Sequence, residues 1–188
     1  MIETPSRDSR SRGKTKILRH LLGFAVGITV FLILIPLGVR ELSEGVDAWF
    51  GLPRFDHLAA RLVLAVPLFT CGAVYVLWSN LFLILRGKGG PAEGFGVAIS
   101  PRTERLVVTG PYRNSRNPMV FGALSIYYSI ALYLGSIAGL VTLLLFSALI
   151  PRYLKRAEEP RLLSEFGKEY EEYRKRVSMI VPLPVGKE

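Results

Sequence analysis

The sequence is poor in the residues that build covalent frameworks and metal centres. Its one cysteine, Cys71, lies inside an apolar run, so no intrachain disulfide framework exists and the residue reads as a small packed side chain. The two histidines, His20 and His57, stand far apart and lack metal-ligand spacing, so no metal site is expected. Charge is missing from long stretches. Half of the 188 residues are hydrophobic. They gather into uncharged runs that fit an integral membrane protein rather than the core of a soluble domain. The net charge of +9 does not point to nucleic acid, because the basic residues cluster: six in 1–20, six in 86–118 and nine in 152–188. The segment 40–57 has few, only Arg40 and Arg54 against Glu41, Glu44, Asp47 and Asp56. This is the positive-inside pattern, which puts the basic segments in the cytoplasm and 40–57 outside.

Residues 1–20 form a Ser/Arg-rich basic stretch without apolar periodicity, expected to be a disordered cytoplasmic tail. It resembles the charged start of a signal peptide, but no small-residue cleavage site follows, so it reads as leading into a retained anchor. Residues 21–85 hold two membrane helices. The first spans about Leu21 to Val39, with Pro36 kinking its far end. In the outer loop 40–57, Trp49, Phe50 and Phe55 suit the membrane interface. The second runs from about Leu58 to Leu85; its 28 residues exceed the span requirement, so it tilts, kinks at Pro67 or extends into the cytoplasm. Ser79 and Asn80 in its inner half read as interhelical hydrogen-bonding residues, with a pocket role as the weaker alternative.

Residues 86–182 form the core, and 183–188 a short tail. The glycine-rich start of the core contains Glu93-Gly-Phe-Gly96, which only faintly resembles a nucleotide-binding loop, since no hydrophobic strand precedes it and no βαβ unit surrounds it. A flexible lid or linker is the better reading. Met119 to Ile150 is an uncharged run of 32 residues. As one straight helix it would be about 48 Å long, too long for the bilayer. A hairpin turning near Gly135-Ser136 fits better and keeps the nine-base tail on the cytoplasmic side. The expected fold is therefore all-α: a membrane bundle of about four transmembrane helices, the last two a hairpin, followed by a cytoplasmic amphipathic helix. Both termini are expected in the cytoplasm.

Two patches carry the functional signal. In the first, Leu106 to Gly122, a short β-prone run is stopped by Gly110-Pro111, and Asn117-Pro118 reads as a helix start with Asn117 as N-cap. Arg113 and Arg116 then sit just outside a membrane helix, beside its N-terminal dipole, where they pair with an anion or merely touch lipid phosphates. In the second, Arg152 to Tyr173, Pro160 opens a helix. Leu162, Leu163, Phe166, Tyr170, Tyr173 and Val177 fall mostly at spacings of three or four and make one apolar face. Such a helix lies on the membrane surface or packs over the cytoplasmic mouth of the bundle and closes a site.

The run GPYRNSRNPMVFG, followed after a hydrophobic hairpin by RAEEPRLLSEFGKEYEEYRKRV and then Pro182, resembles the isoprenylcysteine carboxyl methyltransferase and phospholipid methyltransferase superfamily over about residues 80–182. The resemblance implies an integral membrane methyltransferase that uses S-adenosylmethionine, bound on the cytosolic side. By position it implies cofactor-binding roles for Tyr112, Arg116, Asn117, Pro118 and Met119, with Glu158 or Glu159 from the tail. It also implies a catalytic Arg–Glu pair, here Arg156 (or Arg152) with Glu159. Two departures stand out: Asn117 where many members have His, and Val120 where many have Tyr, a contact that is either lost here or supplied by Tyr127 or Tyr128.

The chemistry agrees. A guanidinium holds a carboxylate bidentately, a glutamate holds an ammonium, and an apolar wall suits adenine. Methyl transfer is an in-line displacement, so positioning and desolvation dominate. The family name closest to the motifs implies a prenylated cysteine carboxylate as acceptor. A phospholipid head group or a small thiol is the alternative, and membrane lipid is the expected neighbour. Two other classes compete: a sterol-reductase-like membrane enzyme using NADPH, whose chains have more spans, and a non-enzymatic scaffold. Glu158 and Glu159 also have a plain alternative as first-turn acids favoured by a helix dipole.

Overall fold

The computed structural model describes residues 21–23, 25–87, 93–94, 97–98 and 103–184. The basic tail 1–20, most of the glycine-rich segment expected to be a lid or linker, and residues 185–188 lie outside the described residues. Within that segment, Glu93–Gly94 pairs antiparallel with Val97–Ala98. The helices are α1 (Leu21–Phe50), α2 (Leu58–Gly87), a 3₁₀ turn (Gly110–Arg113), α3 (Pro118–Leu134), α4 (Ile137–Tyr153) and α5 (Glu159–Arg176), with α4 and α5 joined by a π-helical turn at Leu154–Glu158. Three helices are long and apolar enough to cross a membrane, counting Ile137–Arg176 as one, and α3 is a shorter apolar helix. The chain is an integral membrane helical bundle.

α1 differs from expectation at both its middle and its end. Thr29–Leu34 is π-helical and ends two residues before Pro36. The N–H of Ile35 reaches back to the Val30 carbonyl, and Pro36 has no N–H to give. The Phe31 carbonyl is thereby left over and accepts a hydrogen bond from Tyr127 Oη of α3 at 3.0 Å. The proline thus widens the ladder. Beyond it, α1 does not stop near Val39 but continues through Arg40 and Glu44, an ion pair at 3.3 Å, until Gly51 turns left-handed at φ 59°. The connection to α2 is accordingly shorter than the predicted 40–57 loop. Ser43 and Asp47, assigned to that loop by the sequence, are buried helical residues.

The hairpin turns where predicted. Gly135 adopts φ 67°, and Ser136 caps α4 by accepting from Gly139 N at 2.8 Å. The two helix ends of the hairpin receive opposite charges. Arg61 of α2 donates to the Tyr133 carbonyl at the end of α3 (3.1 Å), and Asp47 of α1 accepts from Ala138 N at the start of α4 (3.0 Å). The core between the helices is Ile126, Tyr127, Ala131 and Leu143.

α2 and α3 meet back to back at two glycines. A Cβ on Gly72 would lie 2.6 Å from the Gly122 carbonyl, and one on Gly122 would lie 2.7 Å from that of Gly72. Small residues permit this approach. Two expectations for α2 are corrected. Ser79 and Asn80 do not bond across helices; they bond back to their own helix, at Tyr75 O (2.5 Å) and Val76 O (2.8 Å). Cys71 is exposed rather than packed, because the packing face of α2 turns through Ala65, Gly72 and Ser79. On α3, Tyr127 Oη bonds the Phe31 carbonyl and Tyr128 Oη lies 3.1 Å from Ser147 Oγ.

Candidate active site

The site grows from the Gly110–Arg113 turn. Gly110 holds φ 63°, and a Cβ there would collide with the Phe82 ring of α2, so the turn can press against the helix only as glycine. Pro111 and Tyr112 are buried beneath it. The chain then turns at Asn114 and Ser115, whose N–H groups both donate to Pro111 O, and enters α3 at Pro118. Asn117 occupies the N-cap position, but its side chain does not cap; it donates to the Met179 carbonyl at 3.1 Å.

The residues after α5 are laid against this loop. Arg116 N donates to Ser178 O (2.8 Å), Asn117 N to Met179 O (3.0 Å), Ser115 Oγ to Ile180 O (2.7 Å) and Leu183 N to Asn114 O (3.0 Å). Tyr173 Oη donates to Tyr112 O at 2.6 Å. These bonds satisfy backbone groups that helix and sheet leave unpaired and fix the loop and the C-terminal segment as one clamp.

Across the clamp lies a buried ion pair. Arg116 Nη1 stands 2.6 Å from Glu159 Oε1, with the two side chains 10% and 11% exposed. Glu159 Oε2 is 3.4 Å from Arg174 Nη1. Among the described residues, Arg116 Nε is buried without a hydrogen-bond partner. The π-helical turn sets this geometry: an extra residue in the turn rotates α5 by roughly 100° against α4. Gly167 completes it. Fifteen residues of unbroken helix would separate Glu159 from Arg174 by about 22 Å. Instead Gly167, at φ 55° and ψ −128°, breaks α5 and brings the second half back toward the first. Tyr170, Tyr173 and Val177 then pack with Leu106, Leu162, Leu163 and Phe166.

Burial, with Tyr173 and Glu158 alongside, pushes the Tyr112 hydroxyl far above the ordinary tyrosine value. Tyr173 is raised by burial and by Tyr170. Tyr170 is raised by burial, while the neighbouring Arg116 guanidinium pulls it the other way. All three are neutral phenols at physiological pH.

The structure brings Tyr112, Arg116, Asn117, Pro118 and Met119 onto one loop and helix start, with Glu159 facing them and Glu158 beside Tyr112 and Tyr170. It does not bring Arg156 to Glu159. Arg156 is exposed in the π-helical turn, and Arg152 bonds the Ala148 carbonyl of its own helix. The arginines on Glu159 are Arg116 and Arg174. Arg174, Ser115 and the segment 178–180 were not singled out by sequence reasoning. The usable signal was Gly167: a glycine interrupting an amphipathic pattern marks a possible break, and the pairing across it follows only once the break is sharp.

A family model described as phospholipid methyltransferase matches residues 60–169, from the start of α2 into α5. No curated protein and no solved structure matches the chain. The matched stretch contains Tyr112 to Met119, Glu158 and Glu159, and ends just before Tyr170, Tyr173 and Arg174.

Proposed function

Because the chain belongs to the phospholipid methyltransferase family, a family of integral membrane methyltransferases, we propose that it transfers a methyl group from S-adenosylmethionine to a phospholipid head group at the cytoplasmic face of the membrane. The observation that carries the cofactor assignment is Arg116. Its guanidinium is nine-tenths buried, is held from one side by Glu159, and keeps Nε without a partner among the described residues. A buried orphan donor costs free energy until an acceptor arrives, and a cofactor carboxylate fits that need. The residues present therefore suit the group: Arg116 for the carboxylate, Glu158 or Glu159 for the ammonium, Tyr112, Pro118 and Met119 for an apolar wall. When bound, S-adenosylmethionine supplies an electrophilic methyl group. Arg116 and Glu159 orient and desolvate, the Tyr173 and Asn117 bonds hold the loop still, and the buried tyrosines keep water out.

The family description favours a phospholipid acceptor over a prenylated cysteine carboxylate. The test is calorimetry on the detergent-purified protein with S-adenosylhomocysteine and, separately, NADPH, followed by methylation of a lipid extract with labelled cofactor. Saturable binding of the first alone, and label in an amine phospholipid, is the expected result. Binding of NADPH alone would turn the assignment to a reductase, and binding of neither by folded protein would turn it to a scaffold.

A further inference from the structure

One face of α2 leads from the bilayer to the site and is covered with rings. Tyr75 and Trp78 lie 6.1 Å apart, and Trp78 meets Phe82 at 6.1 Å and 82°. Phe121 of α3 joins Tyr75 edge-on at 4.9 Å. An interfacial aromatic belt collects rings at one depth. This row changes depth: from Tyr75 to Phe82 the helix rises about 10 Å. It starts level with the first turn of α3 and ends under the Gly110 turn, where Phe82 fills the space that a side chain at Gly110 would need. Trp78 stays 40% exposed on the outer side.

The upper end of the row is basic. Arg86 lies four residues beyond Phe82, in the π-helical last turn of α2 (Leu83–Gly87), and Arg113 closes the turn that Phe82 supports. Both are exposed. An apolar row with exposed arginines beyond its end suits an amphiphile whose chains lie in the bilayer and whose first polar group is a phosphate. Arginine is suited to that group because its fork meets phosphate oxygens bidentately. A neutral amphiphile such as a diacylglycerol has no anion for these two residues to bind. Beyond Arg113 the head group would reach toward Tyr112 and Glu158.

We infer that the Tyr75–Trp78–Phe82 face is where a membrane phospholipid approaches the site, and that Arg86 and Arg113 hold its phosphate and so select phosphate-bearing lipids. The inference rests on the methyltransferase reading for its purpose, but its test does not. Trp49→Phe leaves Trp78 as the one tryptophan. In detergent micelles, phosphatidylethanolamine brominated on its acyl chains should quench Trp78 at about tenfold lower mole fraction than brominated diacylglycerol, the effect of about 1.4 kcal/mol. Adding Arg86→Gln and Arg113→Gln should bring the two lipids together. Inorganic phosphate should leave the quenching midpoint unchanged. Equal quenching by both lipids in the Trp49→Phe protein would overturn the phosphate site. A midpoint moved by inorganic phosphate alone would make it a free-anion site and overturn the lipid assignment. Calorimetry with S-adenosylhomocysteine reports separately: binding without lipid selection removes only this inference, and lipid selection without binding removes only the methyltransferase reading.

Discussion

Glu159 is held by two arginines, and the two contacts differ in weight. The Arg116 contact is short and nearly closed to solvent, while Arg174 is 36% exposed at 3.4 Å. Breaking a buried pair by removing one partner costs about 3–5 kcal/mol, whereas an exposed pair contributes roughly 1 kcal/mol or less. Glu159→Gln keeps the shape and one hydrogen bond but removes the charge. It is expected to abolish methyl transfer and weaken S-adenosylhomocysteine binding at least tenfold, while the protein stays monodisperse in detergent. Arg174→Gln should change binding little. Full activity in Glu159→Gln would remove this residue from the mechanism, and aggregation would make its role structural. Tyr173 yields a pH prediction. Its phenol is neutral in the fold and its pKa is raised above the ordinary 10.0. Above that value the unfolded chain loses a proton that the fold retains, so stability is complete below pH 10 and falls as pH rises further. Melting curves between pH 8 and 11 (a range of roughly three units about the reference value) should show a shallower alkaline decline in Tyr173→Phe than in the parent. Equal slopes would mean that burial of the Tyr173 hydroxyl does not carry the effect.

At the scale of elements, the hairpin was legible because charge and length allow few alternatives. An uncharged run too long for one crossing, with Gly135-Ser136 near its centre, turns there. The α5 pattern was legible as one apolar face but not as two half-helices, since Gly167 in a polar stretch does not announce how sharply the chain will bend. The Arg116–Glu159 pairing was not legible either, because the sequence placed both residues in the cofactor set but offered Arg156 as the nearer partner; the π-helical turn that turns α5 toward the loop leaves no mark in hydrophobic periodicity. The end of α1 was missed because Glu41, Glu44 and Asp47 look like loop acids, although Asp47 serves the α4 N-terminus. The same hidden logic couples α1 to α3. Tyr127 Oη serves the Phe31 carbonyl that Pro36 leaves open. Hydrogen bonds of this kind contribute about 0.5–2 kcal/mol inside membranes. Tyr127→Phe should therefore destabilise the bundle by about that amount, and less in a Pro36→Ala background, where the restored N–H supplies the carbonyl with a partner. A double-mutant cycle on detergent melting measures the difference. Strict additivity would show that the proline and the tyrosine act independently.

For the molecule as a whole, the two ends of the bundle are built from different materials. At one end lie the hairpin turn, Asp47 and Arg61, with each charge committed to a helix terminus. At the other lie Arg116, Arg174 and most of the nine basic residues of 152–188. α3 has 17 residues and so a length of about 25 Å, somewhat less than the roughly 30 Å hydrocarbon layer. The shortfall is small enough for local thinning, and it places both polar ends at interfaces. Basic residues near span ends are retained in the cytoplasm, and on that ground we propose that the clamp and its site face inward and the hairpin turn faces out. Cys71→Ala removes the one native thiol, after which single cysteines report each side. A cysteine replacing Pro53, in the connection between α1 and α2, should react with an impermeant maleimide on intact cells. One replacing Ser164, exposed on α5, should react only after permeabilisation. The opposite pattern would place the site outside, and labelling of both in intact cells would show that the clamp and the hairpin turn share one side, which no four-crossing arrangement of these helices permits.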